Sequence, residues 1–366
     1  MSAEATLVFL AVVGARFVVP LLIPRWPLPA IVAALILDGI DQTIFQWFGY
    51  DPPGYQGYDK AMDMFYLSVA YLTVLRNWTS YPAFQVARFL FFYRFAGVVL
   101  FELLDWRPLL LIFPNTFEYF FIAYEIVRLR WNPATVSYRR WVITAACIWI
   151  FVKLPQEWWI HVAQLDFTDT LRDYPWLGPV LAVLIIAAAL WVWLWLWPRL
   201  PAPAWSWRVA ADPLPEEMDT AAERDQWVSS HWRVWSSSTL EMVVLIGLLC
   251  VIYGEVLPGV RSSELELFIG IGAFVVVNVA LSLAVARRAG SVESAAASFA
   301  ARAVVNAGLV VGASWLINKV GGDLNLGAAL FFSLLISLLV TLDDRFRPVS
   351  QVRFGEAKAS PLPARR

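Results

Sequence analysis

Residues 37–65 read LDGIDQTIFQWFGYDPPGYQGYDKAMDMF, with Asp38 and Asp41 inside one apolar run and Asp59 and Asp63 opening the next. The flanks carry no charge: PLPAIVAALI at 27–36 before, and YLSVAYLTVL at 66–75 after. Apolar runs of about 20 residues match the thickness of a bilayer core. Ionisable groups inside such runs are costly, which makes them candidates for function. The stretch therefore predicts two membrane helices, each carrying a pair of acids one turn apart.

Composition extends this reading to the whole chain. Of 366 residues, 60% are hydrophobic and 16% charged, where a soluble domain carries about a quarter. Mean hydropathy is +0.62. Twenty tryptophans suit a protein with many membrane–water interfaces. A net charge of −1 gives no motive for nucleic-acid binding. Cys147 and Cys250, both in apolar runs, form neither a disulfide framework nor a CxxC metal site. No basic region precedes the first apolar run, so residues 6–23 read as a retained span and not a signal peptide.

The expected fold is all-α, a polytopic integral membrane helix bundle. Eleven spans are expected, at 6–24, 27–49, 59–76, 82–103, 107–129, 140–161, 175–197, 239–257, 264–286, 297–317 and 325–342. Arginine and lysine concentrate in alternate connections, among them Arg128, Arg130, Arg139 and Arg140, then Arg287 and Arg288, then Arg345, Arg347, Arg353, Lys358, Arg365 and Arg366. The opposite set is richer in acids, including Asp51, Asp59, Glu102, Asp105, Asp166 and Asp169. The positive-inside bias then puts the N-terminus outside and the C-terminus in the cytoplasm.

Four regions follow. Residues 1–197 form a bundle with a polar belt. Residues 198–238 are a cytoplasmic connection, with Trp227, His231, Val234 and Trp235 on one face of an amphipathic helix. That face is expected to rest at the membrane surface, with docking of a protein partner as the other reading. Residues 239–342 read as scaffold, and Gly308 and Gly312 on span ten as close helix packing. Residues 343–366 read as a disordered tail.

The belt gathers on spans two to six. Asp38, Asp41 and Gln42 share one face at i, i+3 and i+4. Asp63 follows Asp59 by one turn, and Arg94 lies on span four. Asn115 and Glu118 share a face of span five, as do Lys153 and Glu157 on span six. Arg16 stands alone on span one. These groups are the candidate site for a substrate or ion. The acids outnumber the bases, so a dry interior needs protons or a cation to share the site. Pro114 and Pro155, beside Asn115 and Glu157, predict local breaks in those helices.

Other chemistry lacks a motif: the chain has no GxGxxG, no Walker A sequence and no HExxH, and His161 and His231 are its only histidines. No cofactor is evident.

The four acids Asp38, Asp41, Asp59 and Asp63 have the spacing D-x2-D-x17-D-x3-D. This resembles the acid spacing of the CDP-alcohol phosphatidyltransferase family. Gln42 stands where that family's first glycine falls, Phe45 and Gln46 replace its Ala-Arg, and Tyr55 replaces its second glycine. The resemblance implies lipid phosphotransfer, with the first acids holding two Mg²⁺ or Mn²⁺ ions and the last acting as base on the alcohol.

The reading favoured by the residues is a proton- or cation-coupled transporter or permeation protein of a bacterial inner (plasma) membrane. It would take a small ion or small molecule. The metal-dependent lipid phosphotransferase is the alternative. A non-catalytic scaffold subunit is the second alternative, with a homo-oligomer or a protein partner held through 198–238.

Overall fold

The computed structural model describes residues 3–50, 54–104, 106–163, 167–319 and 325–359. Among them every regular element is helical. Asp51, Asp105, Asp166, Arg365 and Arg366, which entered the loop-charge count, lie outside the described residues.

In chain order the first helices are α1 (Ala3–Val18), α2 (Pro27–Trp47), α3 (Tyr55–Asn77), α4 (Tyr81–Leu104), α5 (Pro108–Ile112) and α6 (Thr116–Arg128). Helix α7 starts as Tyr138–Ile148 and continues to residue 162, with wide π turns at Trp149–Lys153 and Trp158–Val162 on either side of Leu154–Glu157. Then come α8 (Phe167–Asp173), α9 (Leu177–Trp191), α10 (Ala221–His231), α11 (Ser237–Val256), α12 (Glu264–Ala286), α13 (Ala295–Lys319) and α14 (Leu326–Ala359). The starts follow local chemistry. Pro27 sits in the first turn of α2, where a missing N–H costs nothing. Thr220 with Glu223, and Ser263 with Glu266, form capping boxes on α10 and α12.

Among the described residues eight helical segments are long and apolar enough to cross a membrane: Glu4–Leu22, Pro27–Trp47, Pro108–Arg128, Leu177–Arg199, Ser237–Val256, Glu264–Ala286, Ala295–Ile317 and Leu326–Gly355. The other three expected spans coincide with α3, α4 and α7, which fall outside these eight, and α3 is the more polar of the first two. For α3 the reason is its surroundings. Phe65, Leu67, Ser68, Val69, Ala70, Tyr71 and Val74 have no exposed surface, because α1, α2, α11 and α14 pack around the helix. A helix enclosed by protein has no need to be apolar toward lipid. The stretch Leu177–Arg199 is the opposite case: its mean hydropathy reaches 2.5 and its most apolar window has nothing buried. So much exposed apolar surface fits a lipid-facing helix and not one in water.

The chain divides into two compact units, residues 1–88 with 209–366, and residues 89–208. These cut across the four regions drawn from sequence. In the first unit, residues 343–359, expected as disordered tail, are helical and continue α14 through Pro348. Phe346, Val349 and Phe354 are buried, and Phe354 packs on Tyr81 and Phe84 at ring separations of 5.4 and 5.1 Å. The segment looked like a tail because it is polar, yet several of its polar groups have partners. Arg347 bonds Asp343, Arg345 bonds the carbonyls of Val292 and Glu293, and Gln351 accepts from two indoles. Those indoles, Trp227 (3.3 Å) and Trp232 (2.8 Å), dock α10 against α14. Val228, Leu283 and Ala286 form a small apolar core there with Trp232 and Val234. Of the four residues expected on one face, Trp227 and Val234 thus pack on protein, while His231 and Trp235 stay exposed, and α10 ends at His231, before Val234 and Trp235.

Candidate functional site

In the first unit the polar groups converge on Arg16 of α1. Its guanidinium pairs with Asp38 and Asp41 of α2 and reaches Asp59 of α3 at 3.5 Å. The i, i+3 spacing of Asp38 and Asp41 turns both toward α1. Asp59 faces the cluster from the first turns of α3, whose start is set by Gly54 in a left-handed conformation (φ 72°). The Tyr55 hydroxyl donates to Asp41. Lys60 stands 3.2 Å from Asp59. The Tyr58 ring lies under the guanidinium, 5.6 Å from its carbon.

Burial is graded across the cluster. Asp41 is fully enclosed and Arg16 almost so, while the side chains of Asp38 and Asp59 keep about a quarter of their surface exposed. An aromatic floor of Phe9, Phe45, Tyr50 and Tyr58 closes one side, with ring centroids 5.5–6.3 Å apart. Three carboxylates therefore share one deeply buried guanidinium, and two of the three still meet the exterior. Gln42 is half-buried on the same helix, and Asp63 is buried one turn beyond Asp59.

In the second unit the sequence-predicted residues form their own network. The expected break at Pro114 is present: α5 ends at Ile112 and α6 begins at Thr116. Asn115 caps α6, accepting from the Glu118 N–H at 3.4 Å and donating from Nδ2 to Glu118 Oε2 at 3.0 Å. Its own N–H donates to Glu157 Oε1 at 3.4 Å. Lys153 pairs with Glu157 at 3.1 Å and lies over the Tyr119 ring at 5.1 Å. Arg94 donates to the freed Phe113 carbonyl at 3.1 Å. At Pro155 the helix stays continuous but opens into π turns on both sides, a form common at functional sites. Gly97 is needed here, because a Cβ at that position would sit 2.1 Å from Phe113 Cβ.

Sequence reading missed the role of Arg16, which it left alone on span one, and the tyrosines beside it. It also missed a second buried charge cluster in the first unit. Glu241 accepts from the Tyr71 hydroxyl at 2.6 Å and pairs with Arg88 and, at 3.2 Å, with Arg347. Arg347 in turn holds Asp343 at 2.6 Å. The signal was present as Asp343 and Arg347, one helical turn apart, but it fell in the segment read as tail.

Among the described residues no group of three or more histidine, cysteine or acidic side chains is arranged to hold a metal ion. No family model matches the chain, and the searches of curated proteins and of solved structures also give no match. The class that the fold supports is a helical protein whose apolar helices fit a multi-pass membrane protein.

Proposed function

We propose that the protein is a proton- or cation-coupled transporter or permeation protein of a bacterial inner membrane, with eleven spans, the N-terminus outside and the C-terminus cytoplasmic. The observation that carries the reading is the set of three carboxylates on one buried guanidinium. With Lys60 counted, the cluster still holds one acid more than it has bases. Carboxylates crowded in a low-dielectric site do not all stay ionised, so one proton or one monovalent cation belongs there. Asp41 is the enclosed member, and Asp38 and Asp59 are the partly exposed pair through which that proton or cation exchanges. The broken helix at Phe113–Asn115 adds support, since broken helices host many transporter sites.

The test is proton movement in vesicles carrying the reconstituted protein under an imposed pH gradient. Asp41→Asn should lower gradient-driven proton flux at least tenfold, with the protein still folded. Full proton flux in both Asp41→Asn and Asp38→Asn would end the coupling reading.

The lipid phosphotransferase reading keeps the acid spacing in its favour. It requires Asp38, Asp41 and Asp59 to turn from Arg16 toward two divalent ions. Mg²⁺- or Mn²⁺-dependent transfer to a lipid alcohol, lost on any single Asp→Ala change, would favour it.

A further inference from the structure

Helices α12, α13 and α14 line two cavities with no residue in common. One, of about 310 Å³, lies beside α10 and the turn at 290–292, and reaches Asn278, Asn306 and Thr341. The other, of about 650 Å³, lies toward the opposite ends of the same helices, beside Gly259, Arg261 and Asn325, and reaches Ser333 and Ile336. Asn306 falls near the middle of α13, so the cavities approach each other at mid-depth.

A thin polar layer separates them. Asn306 Nδ2 donates to Asn278 Oδ1 at 2.9 Å and to Ser337 Oγ at 2.8 Å. The Ser337 hydroxyl donates to the Ser333 carbonyl at 2.6 Å. Asn306 and Ser337 have no exposed surface, and Asn278 and Ser333 have 1% each.

Such layers commonly join membrane helices, and a purely structural layer would use up its own hydrogen-bonding capacity. This one does not. Asn306 Oδ1, Thr341 Oγ1 and, further along the same cavity, Asp344 Oδ1 on one side, and Ser333 Oγ on the other, are buried without a partner. Buried polar atoms of this kind call for a ligand or water. The free atoms are oxygens. The guanidinium donors lining the smaller cavity are already engaged: Arg302 with Ser282 and Asp344, Arg345 with two carbonyls, Arg224 with Met218, Asp219 and Glu293. Asn306 Oδ1 can only accept, so a visiting molecule needs a hydrogen-bond donor there, while the free Thr341 and Ser333 hydroxyls can donate or accept. The layer holds only amides and hydroxyls, which suits an uncharged solute better than an ion.

We propose that the Asn278–Asn306–Ser337 layer is the constriction of a permeation path for a small uncharged solute that donates hydrogen bonds, of the amide or polyol class. The path goes beyond the coupling reading and does not depend on it.

The experiment uses the full chain with Cys147→Ser, which removes the exposed thiol, in right-side-out and inside-out membrane vesicles. Thr341→Cys and Ser333→Cys place a thiol in each cavity. A membrane-impermeant cationic methanethiosulfonate should modify Thr341→Cys from one side only and Ser333→Cys from the other side only. Radiolabelled urea and glycerol should enter vesicles faster than sodium ions do, and Asn306→Leu should slow their entry at least tenfold. Ser337→Val, a smaller change, provides a second variant should the leucine prevent folding. Three results would each overturn the proposal: neither thiol reacting from either side, both reacting from the same side, or urea and glycerol entry unchanged in a folded Asn306→Leu or Ser337→Val protein. The labelling involves neither Arg16 nor its carboxylates, so its failure and the failure of proton coupling are separate results.

Discussion

The first unit holds two buried charge clusters of similar size with different balances. Arg16 faces Asp38, Asp41 and Asp59, with Lys60 at the edge. Arg347 faces Asp343 and Glu241, and Glu241 also takes Arg88. In the second cluster two acids meet two bases, and the Tyr71 hydroxyl occupies a further acceptor position on Glu241. Such a set satisfies itself, and its effect is to tie α3, α11 and α14 together. In the contacts described above, the first cluster sets three acids against two bases. Burial alone does not separate the two clusters; under the coupling reading the balance of charge does.

The contrast breaks most readily at Arg347. Its side chain lies between two acids that are almost wholly buried. Arg347→Met should destabilise the protein by about 3–5 kcal/mol, because breaking a buried pair strands its partner. Thermal or denaturant unfolding in detergent measures this, and a loss under about 1 kcal/mol would show that the cluster is not the structural tie described here. The matching change at the other cluster should cost much less. Asp38→Asn leaves Arg16 with two carboxylates, so the stability change should stay within about 1 kcal/mol. A larger loss would mean that Arg16 needs all three acids and that the excess charge is structural.

Arg88 sharpens the comparison from the exposed side. About half of its side chain is accessible, so Arg88→Ala should cost about 0–1 kcal/mol, with Arg347 still holding Glu241. Unfolding of the Arg88→Ala, Arg347→Met double variant would show whether the two bases act together.

The smallest effect is expected at Glu293, an exposed contact that serves as a baseline for both clusters. The Ala221 N–H donates to its carboxylate at 2.5 Å and Arg224 stands 3.3 Å away. These contacts hold its pKa below the ordinary glutamate value. A carboxyl depressed on folding stabilises the fold above its unfolded pKa, and that contribution fades as pH falls through the lower folded value. Melting temperature followed downward from neutral pH should show a small extra fall in the acid range. Glu293→Gln should lack it, and identical curves for the two proteins would refute the contact's role.

Much of the architecture was legible in the chain. Runs such as 177–197 and 264–286 are long and mostly apolar, and a helix satisfies its own backbone wherever it lies. The break at Pro114 was legible for the same local reason, since proline offers no N–H to the helix ladder. The polar segment at 343–359 was not, because Arg347, Gln351 and Arg353 face partners from α11, α10 and α3 that are distant in sequence. The docking of Trp227 and Trp232 was hidden in the same way: spacing shows a face, and the surface that meets it comes from elsewhere in the chain.

The candidate site divides along the same line. That Asp38 and Asp41 point together follows from helical spacing, and their cost in an apolar run follows from the chemistry of carboxylates. Their convergence with Asp59 on Arg16, and the meeting of Asn278, Asn306 and Ser337 between two cavities, depend on which helices are neighbours. Order along the chain does not set those neighbours. The packing of α1, α2 and α3 in one case, and of α12, α13 and α14 in the other, brings these side chains within hydrogen-bonding reach.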